Sequence, residues 1–402
     1  MILLVTAVFP PEPVVSASLV YDLAVALSEN RKVVVITPKP TRPLGFIFTE
    51  QSVDHKGFEQ VVLNTFTCPE SKIVGRMRES YSFGKHVVNY IKKNRNEIEC
   101  IYLNTWPLLA QYLIVKASKK YSIPSVVHVQ DIYPESLSNK IPIVGNMIKM
   151  ILLPIDKHTL KNASRIIAIS NNMLTNFINK RGISADKINI VQNWQNESEF
   201  IKYHELKGTQ KVNGSGSRTF TFMYLGNIGP VAKVDFLIHG FAKANIKESL
   251  LVIAGSGSDK GRCIKIAGFY QNLKIEFWDV PAGKVPETQE KANILLLPVR
   301  KGAASSSMPS KIPAYMFSAR PVIASVDKNS DTADAIRQAN CGWVIPPDDL
   351  NALAETMRIA VSISEEDRQR YGMNGFSYAL ENFSKKKNLQ KLLAIIGKTI
   401  KE

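Results

Sequence analysis

The amino-acid sequence predicts an α/β protein built from two doubly wound domains in tandem. Its 402 residues exceed what one ordinary hydrophobic core fills, and 45% of them are hydrophobic, which is enough for two cores. Short apolar runs rich in β-branched residues alternate with helical patterns along most of the chain. Such alternation is typical of parallel sheets that are covered by helices on both faces.

In the first half, apolar runs predict the strands of an N-terminal domain over residues 1–200. The helical stretches between them include Ser18–Leu27, whose leucines share one face. The predicted strands are Ile2–Thr6, Lys32–Ile36, Gln60–Asn64, Cys100–Leu103, Ser125–His128, Arg165–Ile169 and Asn189–Val191.

Residues 202–218 interrupt this alternation. They are polar, rich in Gly and Ser and aperiodic, which predicts an interdomain linker with an exposed loop. The alternation then resumes in a C-terminal domain over 201–385, whose predicted helices include Val234–Ala244, Ala352–Ser362 and Glu365–Glu381. Its predicted strands are Thr219–Leu225, Leu250–Ala254, Lys274–Trp278, Ile294–Leu297, Val322–Ala324 and Trp343–Ile345.

The net charge of +16 narrows the classes of partner. It favours molecules that carry phosphate, namely nucleic acid, an anionic lipid surface or a diphosphate substrate. The four cysteines lack pairing or metal-site spacing, which disfavours a disulfide framework or a zinc site and favours a reducing, cytoplasmic setting. The start of the chain reads as a buried strand and not as a signal peptide. The longest apolar segment, 141–155, is interrupted and shorter than the roughly 20 residues of a membrane span.

The stretch GAASSSMPSKIPAYMFSARPVIAS at 302–325 is the clearest candidate for chemistry. A loop with Ser306 and Ser307 leads through Pro309 to the predicted start of a helix at Ser310 and Lys311. We expect Ser310 to cap this helix. The free amides of a helix start and a lysine suit a bound diphosphate. The alternative is an ordinary solvated turn.

Two further strands of the second half end in glycine loops. One loop begins with Gly226 and Asn227, and the other with Gly255 and Ser256. Glycine lets backbone amides approach a phosphate closely, although such a loop alone is more often a simple turn. Because ligands of open α/β sheets bind beyond the carboxyl ends of the strands, we expect these loops to converge on one ligand.

Polar residues also follow a predicted strand of the first half, from His128 to Asp131. Their side chains are expected to point out of the end of the strand, and the alternatives are a structural histidine and a turn-forming aspartate. The sequence has no P-loop, no dinucleotide fingerprint after the first strand and no Gly-x-Ser-x-Gly elbow. These absences disfavour nucleotide hydrolases, dinucleotide oxidoreductases and serine hydrolases of the α/β type.

Several segments carry, by their order and spacing, a resemblance to a known family over nearly the full chain. They are Pro10-Pro11, HVQDIYPES at 128–136, ASRIIAIS at 163–170, VQNW at 191–194, MYLGNIG at 223–229, VIAGSGS at 252–258 and PSKIPAYMFSARPVIAS at 309–325. The chain resembles the retaining GT-B glycosyltransferases of glycosyltransferase family 4, of the bacterial O-antigen and capsule type. The resemblance implies two Rossmann-like domains facing a central cleft. The first would bind the acceptor and the second a nucleotide sugar, and a last helix at 386–402 would return to the first domain.

The loop patterns and the resemblance together assign roles to individual residues. Those expected to act in catalysis are His128, Asp131, Lys233 and Lys311. Those expected to bind the nucleotide sugar are Gly226, Asn227, Gly255, Ser256, Trp278, Val280, Lys301, Ser306, Ser307, Pro309 and Ser310. Many relatives carry arginine where Asn227 stands, so that charge is expected from Lys301 or Lys311. The usual glutamate pair of the family falls at Ser306 and Ala314, which leaves the serines, Lys311 and backbone amides to hold hydroxyl groups.

The expected activity is retaining sugar transfer from a UDP-sugar, without an essential metal, to a lipid-linked diphosphate saccharide. We expect the protein at the cytoplasmic face of the membrane, where the basic stretch 72–95 and the apolar segment 141–155 would contact anionic lipid. The alternatives for these two segments are a solvated helix and a core helix. The alternative function is a noncatalytic sugar-nucleotide or polyanion-binding protein. Nucleic-acid binding is disfavoured because no aromatic-basic interleaving accompanies the charge.

Overall fold

The computed structural model of the chain divides into two compact units, Met1–Asn193 with Lys386–Glu402, and Trp194–Lys385. The domain limits expected from the sequence stay predictions, because compactness does not test independent folding. The residues that the structure describes are 1–42, 48, 57–70, 72–104, 107–135, 145–208, 219–281, 283–302 and 308–402.

The first unit contains a seven-stranded sheet whose paired strands are all parallel. Its strands are β1 (Ile2–Val5), β2 (Val33–Pro38), β3 (Glu59–Leu63), β4 (Cys100–Asn104), β5 (Ser125–Val129), β6 (Arg165–Ala168) and β7 (Ile188–Ile190). The helices between them are α1 (Val15–Ser28), α2 (Ile73–Asn94), α3 (Leu108–Lys120), α4 (Gly145–Asn162) and α5 (Asn171–Asn176). The strand order is β3-β2-β1-β4-β5-β6-β7, so the winding direction reverses between β1 and β4.

The second unit begins close to helix α6 (Glu197–Gly208) and contains a six-stranded parallel sheet. Its strands are β8 (Phe220–Leu225), β9 (Ser249–Ala254), β10 (Lys274–Trp278), β11 (Ile294–Pro298), β12 (Val322–Ser325) and β13 (Gly342–Ile345). The helices that follow are α7 (Val234–Ala244), α8 (Lys260–Ala267), α9 (Val285–Gln289), α10 (Lys311–Phe317), α11 (Asp331–Ala339), α12 (Leu350–Ser362) and α13 (Glu365–Asn382). A last helix, α14 (Lys385–Lys401), belongs to the first unit from Lys386 onward. The strand order is β10-β9-β8-β11-β12-β13, which reverses between β8 and β11.

The strands of both sheets are formed by continuous apolar runs of the sequence. Every residue of β1 and of β11 is buried, as expected for parallel strands covered on both faces. All thirteen predicted strands are present among the described residues, each with ends within two residues of the prediction. The predicted doubly wound α/β fold is therefore confirmed, and each sheet has a point of reversal where ligands of such folds bind.

The predicted linker is wrong for residues 202–208, because α6 continues through them. The helix is polar, and its sequence lacks the periodicity that predicts a helix. Tertiary contacts hold it instead: Phe200 stacks on Phe317 with ring centroids 5.7 Å apart, and His204 Nε2 lies 3.1 Å from the carbonyl oxygen of Phe317. Residues 209–218 lie outside the described part of the chain.

Within the described ranges, no helix has both the length and the apolar character that crossing a bilayer requires.

Candidate functional site

Three loops at the carboxyl edge of the second sheet are bonded into one layer. The Gly226 amide donates to the Ala254 carbonyl at 3.0 Å, and the Gly255 amide donates to the Trp278 carbonyl at 2.9 Å. Gly255 has φ +126°, and a Cβ there would lie 2.2 Å from the Gly226 carbonyl oxygen, so only glycine fits. The loops after β8, β9 and β10 thus converge, as the glycine patterns predict.

Lys311 crosses this layer at the point where the strand order reverses. A Cβ added to Gly226 would lie 2.1 Å from Lys311 Cε, so the lysine side chain rests directly on the glycine backbone. Its Nζ lies 5.7 Å from the centroid of the Tyr224 ring. Burial lowers the pKa of Lys311, and no carboxylate of the described residues pairs with it. The site therefore presents a desolvated ammonium that an anion can neutralise.

Two buried tyrosines hold the strand end beneath Lys311. The Tyr315 hydroxyl accepts from the Leu225 amide at 2.9 Å and donates to the Leu225 carbonyl at 3.0 Å. The Tyr224 hydroxyl donates to the Asn227 carbonyl at 2.6 Å. Neither tyrosine was among the predicted site residues. A polar hydroxyl inside an otherwise apolar strand or helix is the signal that identifies such groups, because it needs a partner when buried.

A cavity of about 230 Å³ opens beside Lys311. Its lining includes the predicted residues Asn227, Pro309, Ser310 and Lys311, together with Gly229 from the β8 loop. The structure thus brings together predicted residues that lie more than 80 positions apart in the sequence. Such a cavity is large enough to admit a group of phosphate size and is framed by the ends of β8 and β11.

Lys233 lines a neighbouring cavity of about 230 Å³ and not the one beside Lys311. Its ammonium pairs with Asp348 at 3.2 Å, and its backbone has the left-handed φ of +48°. Arg300 lines the same cavity, and its amide donates to the Val231 carbonyl at 3.1 Å. Sequence reasoning missed Arg300. It lies one position before the predicted Lys301, and only the bond to the β8 loop shows where it is held.

The structure corrects one expectation at the start of α10. The helix begins at Lys311, but the Ser310 side chain makes no capping hydrogen bond, and the backbone of Ser310 is already helical with φ −62° and ψ −10°. A capping residue normally has an extended backbone that turns its side chain toward the first amides. Ser310 is exposed beside the cavity instead. Ser306 and Ser307 lie outside the described residues.

Other residues that were predicted to bind the nucleotide sugar lie at the border of these bonded loops. The Trp278 Nε1 donates to Glu276 Oε2 at 2.7 Å, while the backbone of Trp278 joins the β9 loop. Ser256 and Lys301 are exposed, and Val280 is half-buried. These positions are compatible with the predicted contacts but do not test them. Among the described residues, no group of three or more His, Cys, Asp or Glu side chains could hold a metal ion.

His128 lies near the end of β5 in the first unit. Its ring is fully buried, with Nδ1 2.6 Å from the hydroxyl oxygen of Tyr102. Burial lowers the pKa of His128 to about 4, so the ring is neutral at neutral pH. His128 and Asn104 are partners in the register of β4 and β5, and Asn104 is the last residue of β4. Asp131 is half-buried, and a catalytic role for either residue stays a prediction.

The segment after His128 is anchored by an ion-pair network that the sequence did not reveal. Arg181, with no exposed surface, donates to both oxygens of Glu135 at 2.8 and 2.6 Å and to Asp156 at 2.9 Å. It also donates to the Tyr133 carbonyl at 3.1 Å. Burial raises the pKa of Asp156 to about 6, although the positive charge of Arg181 acts to lower it. Part of the HVQDIYPES motif is therefore structural.

Comparisons with known proteins agree with this architecture. Residues 16–198 match the family model described as Glycosyltransferase Family 4, and residues 219–362 match the one described as Glycosyl transferases group 1. A curated relative, the probable glycosyltransferase WbjE of Pseudomonas aeruginosa, is 22% identical over 324 residues, which are 75% of this chain and 73% of the relative.

Two solved structures show the extent of the shared fold. Anabaena HepE in complex with UDP has a TM-score of 0.67 at 16% identity, with 99% of each chain covered. Sucrose-phosphate synthase from Thermosynechococcus elongatus has a TM-score of 0.71 at 16% identity, with 98% of this chain and 97% of the other covered. The chain therefore has the GT-B fold, and its two parts are similar to Glycosyltransferase Family 4 and to Glycosyl transferases group 1, in that order.

Proposed function

We propose that this protein is a retaining glycosyltransferase that moves a sugar from a UDP-sugar to a lipid-linked or saccharide acceptor in bacterial surface polysaccharide synthesis. The observation that carries the proposal is the Lys311 ammonium, which is partly buried, lies where the strand order reverses between β8 and β11 and has no carboxylate partner among the described residues. Removing a cation from water costs free energy unless an anion pairs with it. HepE, which shares this fold, has been solved with UDP and with UDP-glucose, and this supports a nucleotide diphosphate as the anion that pairs with Lys311.

The residues around Lys311 suit stabilisation of a leaving diphosphate. When the bond from the anomeric carbon to the diphosphate oxygen breaks, negative charge develops on the phosphate, and Lys311 is fixed in advance beside the loop amides that would receive it. The acceptor hydroxyl would attack from the face that the leaving group vacates and pass its proton to the departing phosphate. We assign no protein nucleophile and no essential metal. Lys233 and Arg300, which face the adjacent cavity, would add positive charge around the same group.

Transfer assays with extracted lipid acceptors and individual UDP-sugars test this proposal. We expect a labelled lipid-linked product that retains the anomeric configuration of the donor, and we expect EDTA to leave the rate unchanged. Lys311→Met should weaken UDP binding by roughly 30-fold, or about 2 kcal/mol, because a charge partner of the diphosphate is lost. Lys265→Met on exposed α8 is the matched control and should bind UDP normally. Normal UDP binding by Lys311→Met would contradict the assignment.

One observation favours a second candidate function. Ser306 and Ala314 occupy the positions of the glutamate pair that family members usually carry, so the chain lacks both carboxylates there. A noncatalytic protein that binds sugar nucleotides or other polyanions would keep the Lys311 cavity without those groups. The two functions differ in the transfer assay: UDP binding without any product, over all donors and acceptors, supports the second function and excludes the first.

A further inference from the structure

Helices α2, α3 and α4 pack side by side in the first unit, with α3 in contact with both neighbours. Their outer surfaces together form what we call the three-helix face. It is unusual in two independent respects, its exposed apolar side chains and its charge.

The outer side of α4 is apolar at its first turns. Met147, Met150 and Ile151 have exposed fractions of 56%, 69% and 60%. Their spacing of three and four residues places them on one side of the helix. On α2, Val74 and Tyr81 are 82% and 53% exposed, again on one side. A surface helix normally turns polar residues outward, so clustered exposed apolar side chains mark an interaction site.

Both apolar groups lie toward the starts of their helices. In a doubly wound sheet each helix runs back from the carboxyl end of the preceding strand, and α2 and α4 follow β3 and β5 in the chain. The exposed apolar residues therefore lie toward the edge of the sheet where ligands of this fold class bind.

The exposed charged side chains of helices α2, α3 and α4 are all positive. Helix α2 carries five Lys or Arg, α3 carries three and α4 carries three. Of these eleven cations, Arg76 pairs with Glu79 and Lys149 with Glu135. The two carboxylates of these helices, Glu79 and Asp156, are buried. Each is paired inside the unit, Glu79 with Arg42 and Arg76, and Asp156 with Arg181. Within the described residues of α2, α3 and α4, no carboxylate is exposed.

We propose that the three-helix face docks on an anionic phospholipid bilayer, with Met147, Met150 and Ile151 inserted among the headgroups and the lysines over lipid phosphates. Apolar residues beside spread cations fit a fluid anionic surface, because neither set must match a fixed partner geometry. The inference rests on the proposed function in one respect: a lipid-linked acceptor would be reached from this face, at the membrane surface on which the face docks.

Vesicle flotation of the full chain tests the charge component. We expect binding to vesicles of phosphatidylcholine with phosphatidylserine and little binding to phosphatidylcholine alone. The triple variant Lys85→Gln, Lys92→Gln and Lys93→Gln should lose roughly 100-fold in partition, about five-fold per cation. The matched control with the same loss of charge, Lys247→Gln, Lys265→Gln and Lys274→Gln in the second unit, should float like the wild type. Equal losses in both variants would show an effect of net charge alone and overturn the proposal.

A second pair of variants tests insertion. Met147→Ser, Met150→Ser and Ile151→Ser together should reduce vesicle binding at least ten-fold, whereas the control Ile264→Ser, Phe269→Ser and Met373→Ser, at exposed apolar positions of the second unit, should not. UDP binding by calorimetry, measured on the same proteins, separates the two proposals. Wild-type protein that binds UDP but not anionic vesicles overturns the docking surface alone, while failure to bind UDP overturns the proposed function. Vesicle binding that survives the α4 substitutions also contradicts the inference.

Discussion

At the scale of single residues, the two most informative side chains are both basic groups that burial keeps from charging easily. Burial lowers the pKa of Lys311 and of His128 for the same reason, the cost of a charge away from water. Their surroundings differ. His128 is bonded to Tyr102 inside the sheet, whereas Lys311 lies beside a cavity. The described partner of His128 is thus a tyrosine hydroxyl, whereas Lys311 is suited to a ligand.

The lowered pKa of Lys311 predicts a pH dependence of donor binding. Because burial favours the neutral amine, UDP affinity should begin to fall at a lower pH than for an ordinary lysine site. Calorimetric titration with UDP from about pH 7 to about pH 10 measures this fall. In Lys311→Met the affinity should be weak and nearly flat over that range, while Lys265→Met should follow the wild type. A wild-type affinity that stays constant across the range would argue against a contact between Lys311 and the diphosphate.

His128 predicts a pH dependence of stability. The unfolded chain binds a proton at His128 below pH 6.5, whereas the folded protein binds that proton only below about pH 4. The contribution of the neutral ring is therefore present above pH 6.5 and lost as the pH falls toward 4, by about 3 kcal/mol in total. Urea unfolding of the wild type and His128→Gln should show a stability difference that shrinks over this window. His86→Gln, at an exposed position, should leave the pH profile unchanged.

At the scale of elements, hydrogen bonds between segments distant in sequence fix the site. Tyr315 joins α10 to the last residue of β8. The Gly226 amide joins the β8 loop to the end of β9, and the Gly255 amide joins the β9 loop to the end of β10. These contacts between distant segments help to position Lys311 over Gly226. The geometry of the site is therefore a property of the sheet edge.

Removing the Tyr315 hydroxyl should loosen this edge. Tyr315→Phe leaves the buried amide and carbonyl of Leu225 without that partner, which should lower the free energy of unfolding by about 1–3 kcal/mol. It should also weaken UDP binding by shifting Lys311. Tyr371→Phe, in α13, is the control for loss of a phenol hydroxyl. Chemical denaturation and calorimetry measure the two effects, and unchanged values for both would contradict the positioning role.

Arg181 should be essential to the stability of the first unit. Arg181→Met removes the cation that pairs with the buried Asp156 and leaves the half-buried Glu135 with Lys149 alone, which should lower the free energy of unfolding by about 3–5 kcal/mol. Arg370→Met, which removes an exposed pair with Asp367, should change it by less than about 1 kcal/mol. Denaturant unfolding followed by circular dichroism compares the two variants. Similar stabilities would show that the network is dispensable.

At the scale of the whole molecule, the sequence predicted the fold class well because the signal is local and repeated. Each buried parallel strand is a continuous apolar run, and each β-branched cluster marks its own position. Helix α6 escaped prediction because its residues lack the apolar periodicity of an amphipathic helix, and the packing of Phe200 and His204 on Phe317 helps to hold it.

The candidate site was predictable only in part, for a related physical reason. Glycine loops and the Pro-Ser-Lys segment indicate where a phosphate can approach, and the structure brings Asn227, Ser310 and Lys311 to one cavity. The partner of Lys233, the position of Arg300 and the burial of His128 depend on contacts across the fold. No spacing rule within the chain encodes such contacts.

The passage of the Lys311 side chain over the Gly226 backbone carries an evolutionary consequence. Gly226 has φ +153°, where other L residues are strained, so position 226 should remain glycine as homologous sequences diverge. A Cβ there would lie 2.1 Å from Cε of the flexible Lys311 side chain and would push it aside, so lineages without glycine at 226 should also lose the lysine from this place.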